Sequence, residues 1–293
     1  MSAPRQVLPG TTYLVTRRCS QRQFLLLPTE RTNGIVRYCL ARAAERSAVQ
    51  VHAFCVMSNH YHLVLSDPGT ALPEFMRYLN EFLARALNAA HGRWENFWAP
   101  ETYSAVRLVS PDDIVEKVAY VLANPVVAGL VPRARRWPGL WSDPRDVDGA
   151  PLVAFRPDGF FRPNGPTPAR SELRLTRPPG WATAAAFIAA VETALRRHED
   201  AAHANGGSFL GVRGILRQRP IDKPSSVEPR RGLNPRVAAG DRSERIGALV
   251  QLKAFLQAYR RAWKDFRAGV RDVLFPAGTY RLRVQLRLAC APP

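Results

Sequence analysis

The chain has 293 residues, of which 46% are apolar, so it is long enough for two ordinary domains and too apolar for wholesale disorder. Its formal net charge is +18 and its sequence pI is about 10.9, a balance typical of proteins that bind nucleic acid. The sequence contains no membrane-length apolar run and begins without the apolar core of a signal peptide. We therefore expect a cytoplasmic protein with no membrane partner.

Seven secondary-structure elements are predicted in the first 130 residues. In chain order they are a strand over 11–19, a helix over 33–46, two strands on either side of a turn at 58–59, a helix over 72–87, a strand over 103–109 and a helix that begins at 111. This order predicts a ferredoxin-like α+β fold, in which an antiparallel sheet carries helices on one face.

The predicted hairpin contains two histidines separated by one aromatic residue, His60-Tyr61-His62. Side chains alternate along a strand, so His60 and His62 point the same way, about 6–7 Å apart, while Tyr61 faces the opposite side of the sheet. Two neutral imidazoles on one face can hold a divalent metal ion. The alternative is a pair of surface histidines on a half-exposed strand, and these two residues alone do not decide between the two.

The last of the seven predicted elements is the helix that begins at Pro111. Ser110 is a suitable N-cap, and a proline followed by two aspartates suits the first helical turn. Asn124 precedes Pro125, which predicts that the helix ends there. Tyr120 and Asn124 are four residues apart and so share one helix face. Such a pair is usually packing and a C-terminal cap, so it is not diagnostic by itself.

Taken together, the two segments resemble a known family. A His-x-His pair after an apolar strand, followed by Tyr120-x-x-x-Asn124-Pro125-x-x-Ala-Gly-Leu-Val, is similar to the HUH single-tyrosine transposases and in particular to their REP-associated tyrosine transposase branch. The resemblance covers roughly residues 8–145. The chain departs from the branch at Val127, where an arginine is common, which leaves open any phosphate contact from that position.

The resemblance implies an HUH nuclease core that cleaves and rejoins single-stranded DNA in DNA transposition, through a 5′-phosphotyrosine intermediate. Tyr120 would be the nucleophile, and His60, His62 and Asn124 would bind Mg²⁺ or Mn²⁺. The DNA partner would be a single strand or a hairpin, and the protein would act as a monomer or homodimer.

Two other functions are compatible with the same residues. One is a domesticated nucleic-acid-binding protein that keeps the fold without turnover, and the other is an HUH replication initiator or relaxase. An intact set of His60, His62, Tyr120 and Asn124 favours an enzyme, because binding alone requires none of them. A single candidate tyrosine favours the transposase branch.

Three further residues are weaker candidates for the site. Tyr103 lies at a predicted strand start without a ligand four residues later, and Glu101 could act as an acid or an outer-shell base. His52 could stack near the metal, but a surface position is the favoured expectation.

The positive charge is concentrated after the candidate site. Residues 1–130 carry 13 Lys and Arg against 10 Asp and Glu, whereas residues 131–293 carry 29 against 14. We therefore expect the second half to supply much of the contact with DNA phosphates. The candidate DNA-binding residues are Arg17, Arg18, Arg133, Arg135 and Arg136.

The sequence predicts three regions. Residues 1–145 form the catalytic domain, residues 146–180 form a segment rich in proline and arginine that wraps over the core, and residues 181–293 form a basic, mainly helical region. Within the last region we expect a helix over 181–202, a flexible stretch over 204–246, a helix over about 243–268 and a possible strand over 281–286.

Overall fold

The computed structural model describes residues 4–100, 103–226 and 235–293. Its N-terminal half is built from strands β1 (Thr11–Arg18), β2 (Gln50–Met57), β3 (His60–Asp67) and β4 (Ser104–Leu108) and helices α1 (Glu30–Ser47), α2 (Leu72–His91) and α3 (Pro111–Val127). The second half adds β5 (Leu152–Phe155), β6 (Arg170–Leu173), α4 (Ala184–Ala204), α5 (Gly211–Leu216), β7 (Val237–Ala238), α6 (Arg242–Arg267) and α7 (Tyr280–Gln285). The predicted order of the first seven elements is confirmed.

The central sheet has the strand order β2-β3-β1-β4-β7. The first four strands pair antiparallel, and β7 joins the outer edge of β4 in parallel. The predicted α+β fold with a mostly antiparallel sheet is therefore confirmed.

Helices cover both faces of this sheet, so the prediction that they lie on one face is wrong. The Tyr61 hydroxyl donates to Asn80 of α2, whereas the ring of the next residue, His62, contacts Tyr120 of α3. Neighbouring residues on a strand point in opposite directions, so α2 and α3 lie on opposite faces. Residues 51–58 are all buried, as expected for a strand covered on both sides.

Helix α3 does not end at Asn124 as predicted but continues through Pro125 to Val127. A proline inside a helix removes one N–H donor. Two side chains donate to other carbonyls of this part of the helix, the Asn124 amide to the Tyr120 carbonyl and the Trp141 indole to the Leu122 carbonyl. The chain beyond the helix also turns back on it, since the Leu130 N–H donates to the Pro125 carbonyl.

The segment after α3 lies against the N-terminal core. Trp137 is buried and donates its indole N–H to the Val56 carbonyl. The hairpin of β5 and β6 packs on α1. Between these two strands, Phe161 contacts Tyr38 of α1 and Phe82 of α2, with ring centroids 5.1 and 6.1 Å apart.

The stretch 204–246, predicted to be flexible, contains regular structure in its described part. It includes α5, the sheet strand β7 and the beginning of α6, while residues 227–234 lie outside the described residues. The predicted helices near 181–202 and 243–268 are confirmed as α4 and α6. The possible strand over 281–286 is wrong, because this segment forms α7.

Helices α4 and α6 have different surroundings. Helix α4 packs along α3. Helix α6 joins α7 around a second, smaller apolar cluster that contains Ala262, Phe275 and Leu282. In the part of the chain that the structure describes, no helix is both long and apolar enough to cross a membrane.

Candidate active site

Two imidazoles meet on the face of the sheet that α3 covers. The ring centroids of His60 and His62 are 4.8 Å apart, and the rings are nearly perpendicular. His62 is 6% exposed, and His60, at the start of β3, is half-buried. The two histidines that the sequence placed on one strand face thus form an adjacent pair, with one ring facing the interior and the other closer to solvent.

Each imidazole is held through its Nδ1 atom by a neighbouring oxygen. Asn59 Oδ1 lies 2.6 Å from His60 Nδ1, and Thr16 Oγ1 lies 2.8 Å from His62 Nδ1. An amide oxygen can only accept, so His60 Nδ1 carries the proton and the lone pair resides on Nε2. Hydrogen bonding of one ring nitrogen to an oxygen is the arrangement that orients histidine ligands in metal sites.

Burial keeps His62 in the form that can act as a ligand. Loss of solvent lowers the pKa of His62 well below its ordinary value, and the neighbouring His60 lowers this pKa further. The neutral imidazole, with a lone pair on one nitrogen, is the metal-binding form. His62 is therefore neutral at physiological pH.

Tyr120 of α3 lies beside the His62 ring of this pair. Its ring centroid is 5.8 Å from that of His62, and its side chain is 38% exposed. Lys117, one turn earlier on the same helix, places its ammonium 5.8 Å from the centre of the Tyr120 ring. The tyrosine is therefore accessible from solvent and lies near both a buried imidazole and a cation.

Asn124 lies one turn after Tyr120 and shares its helix face. Its amide nitrogen donates to the Tyr120 carbonyl at 3.2 Å, so the amide oxygen is the atom left to accept or ligate. In the described ranges, no three or more His, Cys, Asp and Glu side chains form a group that could hold a metal ion. A metal bound by the two histidines would thus need a different third donor, and the Asn124 amide oxygen fits that requirement.

The donor set fits the divalent ions expected from the sequence. Two imidazole nitrogens and an amide oxygen form a mixed nitrogen and oxygen set, which suits Mn²⁺ and leaves positions for phosphate oxygens and water. The residues present are therefore compatible with a divalent ion.

Helix α4 fixes the position of the tyrosine helix. Glu116, four residues before Tyr120, accepts a hydrogen bond from Arg197 at 3.0 Å and pairs with His198 at 2.8 Å. At the N-terminal end of α3, the Ser110 cap pairs reciprocally with Asp113. Residues outside the predicted catalytic domain thus help to position the candidate nucleophile.

The structure separates the two arginines of β1. Arg18 lies directly across the β1–β3 ladder from His60, so it is on the same face as the histidine pair, and it is exposed. Arg17 lies opposite Tyr61 on the other face, with its guanidinium 5.6 Å from the centre of the Trp98 ring. Burial lowers the pKa of Arg17. Arg18 is therefore the better placed to contact DNA at the histidine pair.

The other three candidate arginines lie in the turn that follows α3. Arg133 donates to Glu199 at 2.9 Å, and Arg135 pairs with Glu192 at 3.2 Å. Arg136 is exposed. Two of the three are thus partly neutralised by carboxylates of α4.

The rival tyrosine faces away from the histidines. Ser104 pairs with Thr16 on the face of the histidine pair, so Tyr103, the residue before it, points to the opposite face. The Arg5 guanidinium covers the Tyr103 ring at 3.9 Å. Glu101 lies outside the described residues, and its weaker candidacy stays a prediction.

Sequence reasoning missed three residues of the site: Thr16, Asn59 and Lys117. Strand alternation could have indicated Thr16, once β1 was paired with β3. Asn59 directly precedes His60, and Lys117 precedes Tyr120 by one helical turn. The expected surface position of His52 is wrong, because this residue is 1% exposed and bonded to Ser66 and the Thr176 carbonyl.

Comparison with known proteins gives matches of two kinds. Residues 11–116 match the model of the IS200-like transposase family. A REP-associated tyrosine transposase bound to a REP hairpin shares 19% identity with the chain over 55% of this chain and 88% of its own, with a TM-score of 0.42. A transposase candidate from Deinococcus radiodurans R1 shares 20% identity over 36% of this chain and 85% of its own, with a TM-score of 0.29.

No curated protein matches the chain. The matched family segment contains β1 to the first turns of α3, and so includes both histidines, while Tyr120 and Asn124 follow it. The resemblance seen in the sequence is confirmed at the level of the family, because residues 11–116 match the model of the IS200-like transposases.

Proposed function

We propose that this protein cleaves and rejoins single-stranded DNA, with Tyr120 as the nucleophile. The observation that carries this proposal is the position of Tyr120, accessible on α3 and with its ring 5.8 Å from that of His62. A tyrosine that served only to pack the helix would be expected to bury its hydroxyl end. The match of residues 11–116 to the model of a transposase family supports a role in DNA transposition.

The Tyr120 oxygen would attack the phosphorus of a phosphodiester in line with the leaving 3′ oxygen. The new O–P bond joins Tyr120 to the 5′ phosphate, the P–O3′ bond breaks, the tyrosine proton passes to solvent and the released 3′ oxygen takes up a proton. The reverse reaction with another 3′-hydroxyl rejoins the strand. Because one phosphodiester replaces another, no external energy source is needed.

The neighbouring residues have distinct proposed roles. His60 Nε2, His62 Nε2 and Asn124 Oδ1 would hold Mg²⁺ or Mn²⁺, which when bound supplies positive charge to a nonbridging phosphate oxygen. Thr16 and Asn59 keep the two imidazoles oriented. Lys117 and Arg18 attract the DNA backbone to the two sides of the site, and the former also places a cation beside the attacking residue.

The proposed substrate is a single strand or a hairpin, as the resemblance to REP-associated tyrosine transposases implies. The charge of residues 131–293 supports binding to a polyanion. We include in this proposal that the protein recognises a REP-like hairpin.

Covalent trapping tests the proposal. Incubation of the full chain with end-labelled single-stranded and hairpin DNA and Mn²⁺ should give a labelled protein adduct that survives denaturation. Tyr120→Phe deletes only the hydroxyl and should abolish the adduct, whereas Tyr103→Phe should retain it. An adduct that persists in Tyr120→Phe would refute Tyr120 as the nucleophile. Tight DNA binding by the wild type without any adduct would instead favour a binding protein without turnover.

A further inference from the structure

A groove lies at the C-terminal end of the tyrosine helix, outside the site described above. Its volume is about 340 Å³, and its walls come from the end of α3, the end of α4 and the loop between α4 and α5. The residues that matter for its chemistry are Val126, Val127, His198, Asn205, Ser208 and Phe209.

The groove is continuous with the face that carries Tyr120. Tyr120, Asn124 and Val127 are spaced i, i+4 and i+7 on α3, so they follow one another along one side of the helix. A rise of 1.5 Å per residue places Val127 about 10 Å along the helix axis from Tyr120. Val127 is 57% exposed and lines the groove. A strand attached at Tyr120 would therefore reach the groove without crossing the protein.

Both walls of the groove are fixed. The Leu210 N–H donates to the Gly129 carbonyl at 3.0 Å, and the Gly211 N–H donates to the Leu130 carbonyl at 2.9 Å, so the end of the α4–α5 loop is tied to the end of α3. The Phe209 ring packs edge-on against His203 at 5.3 Å, and His203 in turn donates to the Pro132 carbonyl at 2.8 Å. The groove is thus preformed and keeps its aromatic residue in place.

The lining is suited to a flat, uncharged, partly polar group. Val127 and Phe209 provide apolar surface, while Asn205 and Ser208 provide amide and hydroxyl groups at the rim. Among the described residues that line the groove there is no carboxylate to repel DNA, and there is no lysine or arginine to hold a phosphate. His198 is already paired with Glu116. A nucleobase fits this lining better than a phosphate does.

We propose that this groove binds one unpaired nucleobase of the DNA strand, a few nucleotides from the phosphate that Tyr120 attacks. This inference rests on the proposed function for the location of that phosphate. Stacked nucleotides are about 3.4 Å apart along one strand, so a separation of about 10 Å corresponds to a base within about three nucleotides of the cleaved bond. The groove would then contribute to the choice of cleavage position.

An abasic scan measures this interaction directly. Each position of a single-stranded oligonucleotide is replaced in turn by an abasic site, and equilibrium binding to the full chain is measured in EDTA, so that neither cleavage nor a metal ion is required. We expect one abasic position to weaken binding by about tenfold, the range typical of base stacking on an aromatic side chain. Absence of any sensitive position would overturn the proposal.

Three variants assign the sensitive position to the groove. Val127→Trp should fill the groove, and Phe209→Leu should keep its apolar bulk while removing the ring, so both should bind intact DNA about tenfold more weakly and lose the abasic sensitivity. Val284→Trp, at a valine 50% exposed on α7, should keep the wild-type profile. The same abasic profile in wild type and in both groove variants would overturn the proposal.

The two proposals fail separately. If the wild type forms no adduct but shows the groove-dependent abasic position, the chemistry is wrong and a base site remains at the end of α3. If the adduct depends on Tyr120 but no base position depends on the groove, the chemistry stands and the groove proposal is wrong.

Discussion

Thr16 and His62 face each other across the β1–β3 ladder, and the Thr16 hydroxyl lies 2.8 Å from His62 Nδ1. This hydrogen bond fixes the ring of the more buried histidine from a different strand. The β1 strand therefore contributes to the site through an uncharged residue as well as through Arg18.

Thr16→Val tests this contribution by removing the hydroxyl with little change in shape. We expect the Mn²⁺ concentration for half-maximal cleavage to rise by about 10–100-fold, the usual effect of losing a partner that orients a metal ligand. A titration of adduct formation against Mn²⁺ measures the change. Thr12→Val is the matched control, because Thr12 bonds to Ser66 instead. An unchanged Mn²⁺ midpoint in Thr16→Val would show that Thr16 has no such role.

The proposed metal ligands should be more sensitive than their hydrogen-bond partners. His60→Ala and His62→Ala should each reduce cleavage by more than about 100-fold and leave DNA binding in EDTA nearly intact. Asn124→Asp keeps a side-chain oxygen and should retain cleavage, whereas Asn124→Leu should lose it. Cleavage rates of each variant and the wild type are compared at saturating Mn²⁺. Cleavage by the double His60→Ala, His62→Ala variant would refute the metal site.

The burial of His52 should make the fold less stable in mild acid. Burial lowers the pKa of His52 to about 4, below the value of about 6.5 expected in the unfolded chain. The neutral form stabilises the fold above pH 6.5, and this stabilisation is lost as the pH falls towards 4, at about 1.4 kcal/mol per pH unit. Urea unfolding at pH 7.5 and 5.0 should show the loss, and His52→Gln should reduce the difference between the two values. If the wild type and His52→Gln lose the same free energy of unfolding between pH 7.5 and 5.0, titration of other groups causes the loss.

The exposed face of α6 should contribute to DNA affinity. Residues 241–293 carry eleven Lys and Arg against four Asp and Glu, and Arg260, Arg261 and Lys264 are all exposed. Their replacement by glutamine should weaken single-strand binding and lower the salt slope by about 0.7 for each DNA phosphate that the variant no longer neutralises. Affinities at several salt concentrations measure the slope.

The control for this change is a triple glutamine variant at Arg145, Arg170 and Arg219, each of which is paired with a carboxylate. Equal salt slopes for the α6 variant and the wild type would mean that the α6 face does not bind DNA.

Patterns of local spacing predicted the histidine hairpin and the shared face of Tyr120 and Asn124, because both depend on residues close in sequence. The partners that orient the histidines could not be predicted with the same ease. Thr16 reaches His62 only through strand pairing, and the register of that pairing is set by burial over the whole sheet.

The predictions that were wrong concern features that depend on tertiary contacts. Helix α3 continues through Asn124-Pro125, and tertiary contacts hold its end, since the Trp141 indole donates to the Leu122 carbonyl and the Leu130 N–H donates to the Pro125 carbonyl. His52 is buried because residues of the wrapping segment cover it, with the Thr176 carbonyl bonded to its ring. Residues 281–286 form a helix although their alternating pattern favours a strand, and a short element of this kind follows its packing around Phe275 and Leu282.

The strand edges of the central sheet are closed by the second half of the chain. Leu140, Ser142 and Thr176 form backbone hydrogen bonds along β2, and β7 occupies the outer side of β4. A fragment trimmed to residues 11–116 would expose the N–H and C=O groups of both outer strands, and such rows invite pairing with other chains. The segment that matches the transposase family should therefore aggregate when it is expressed without the residues that follow it.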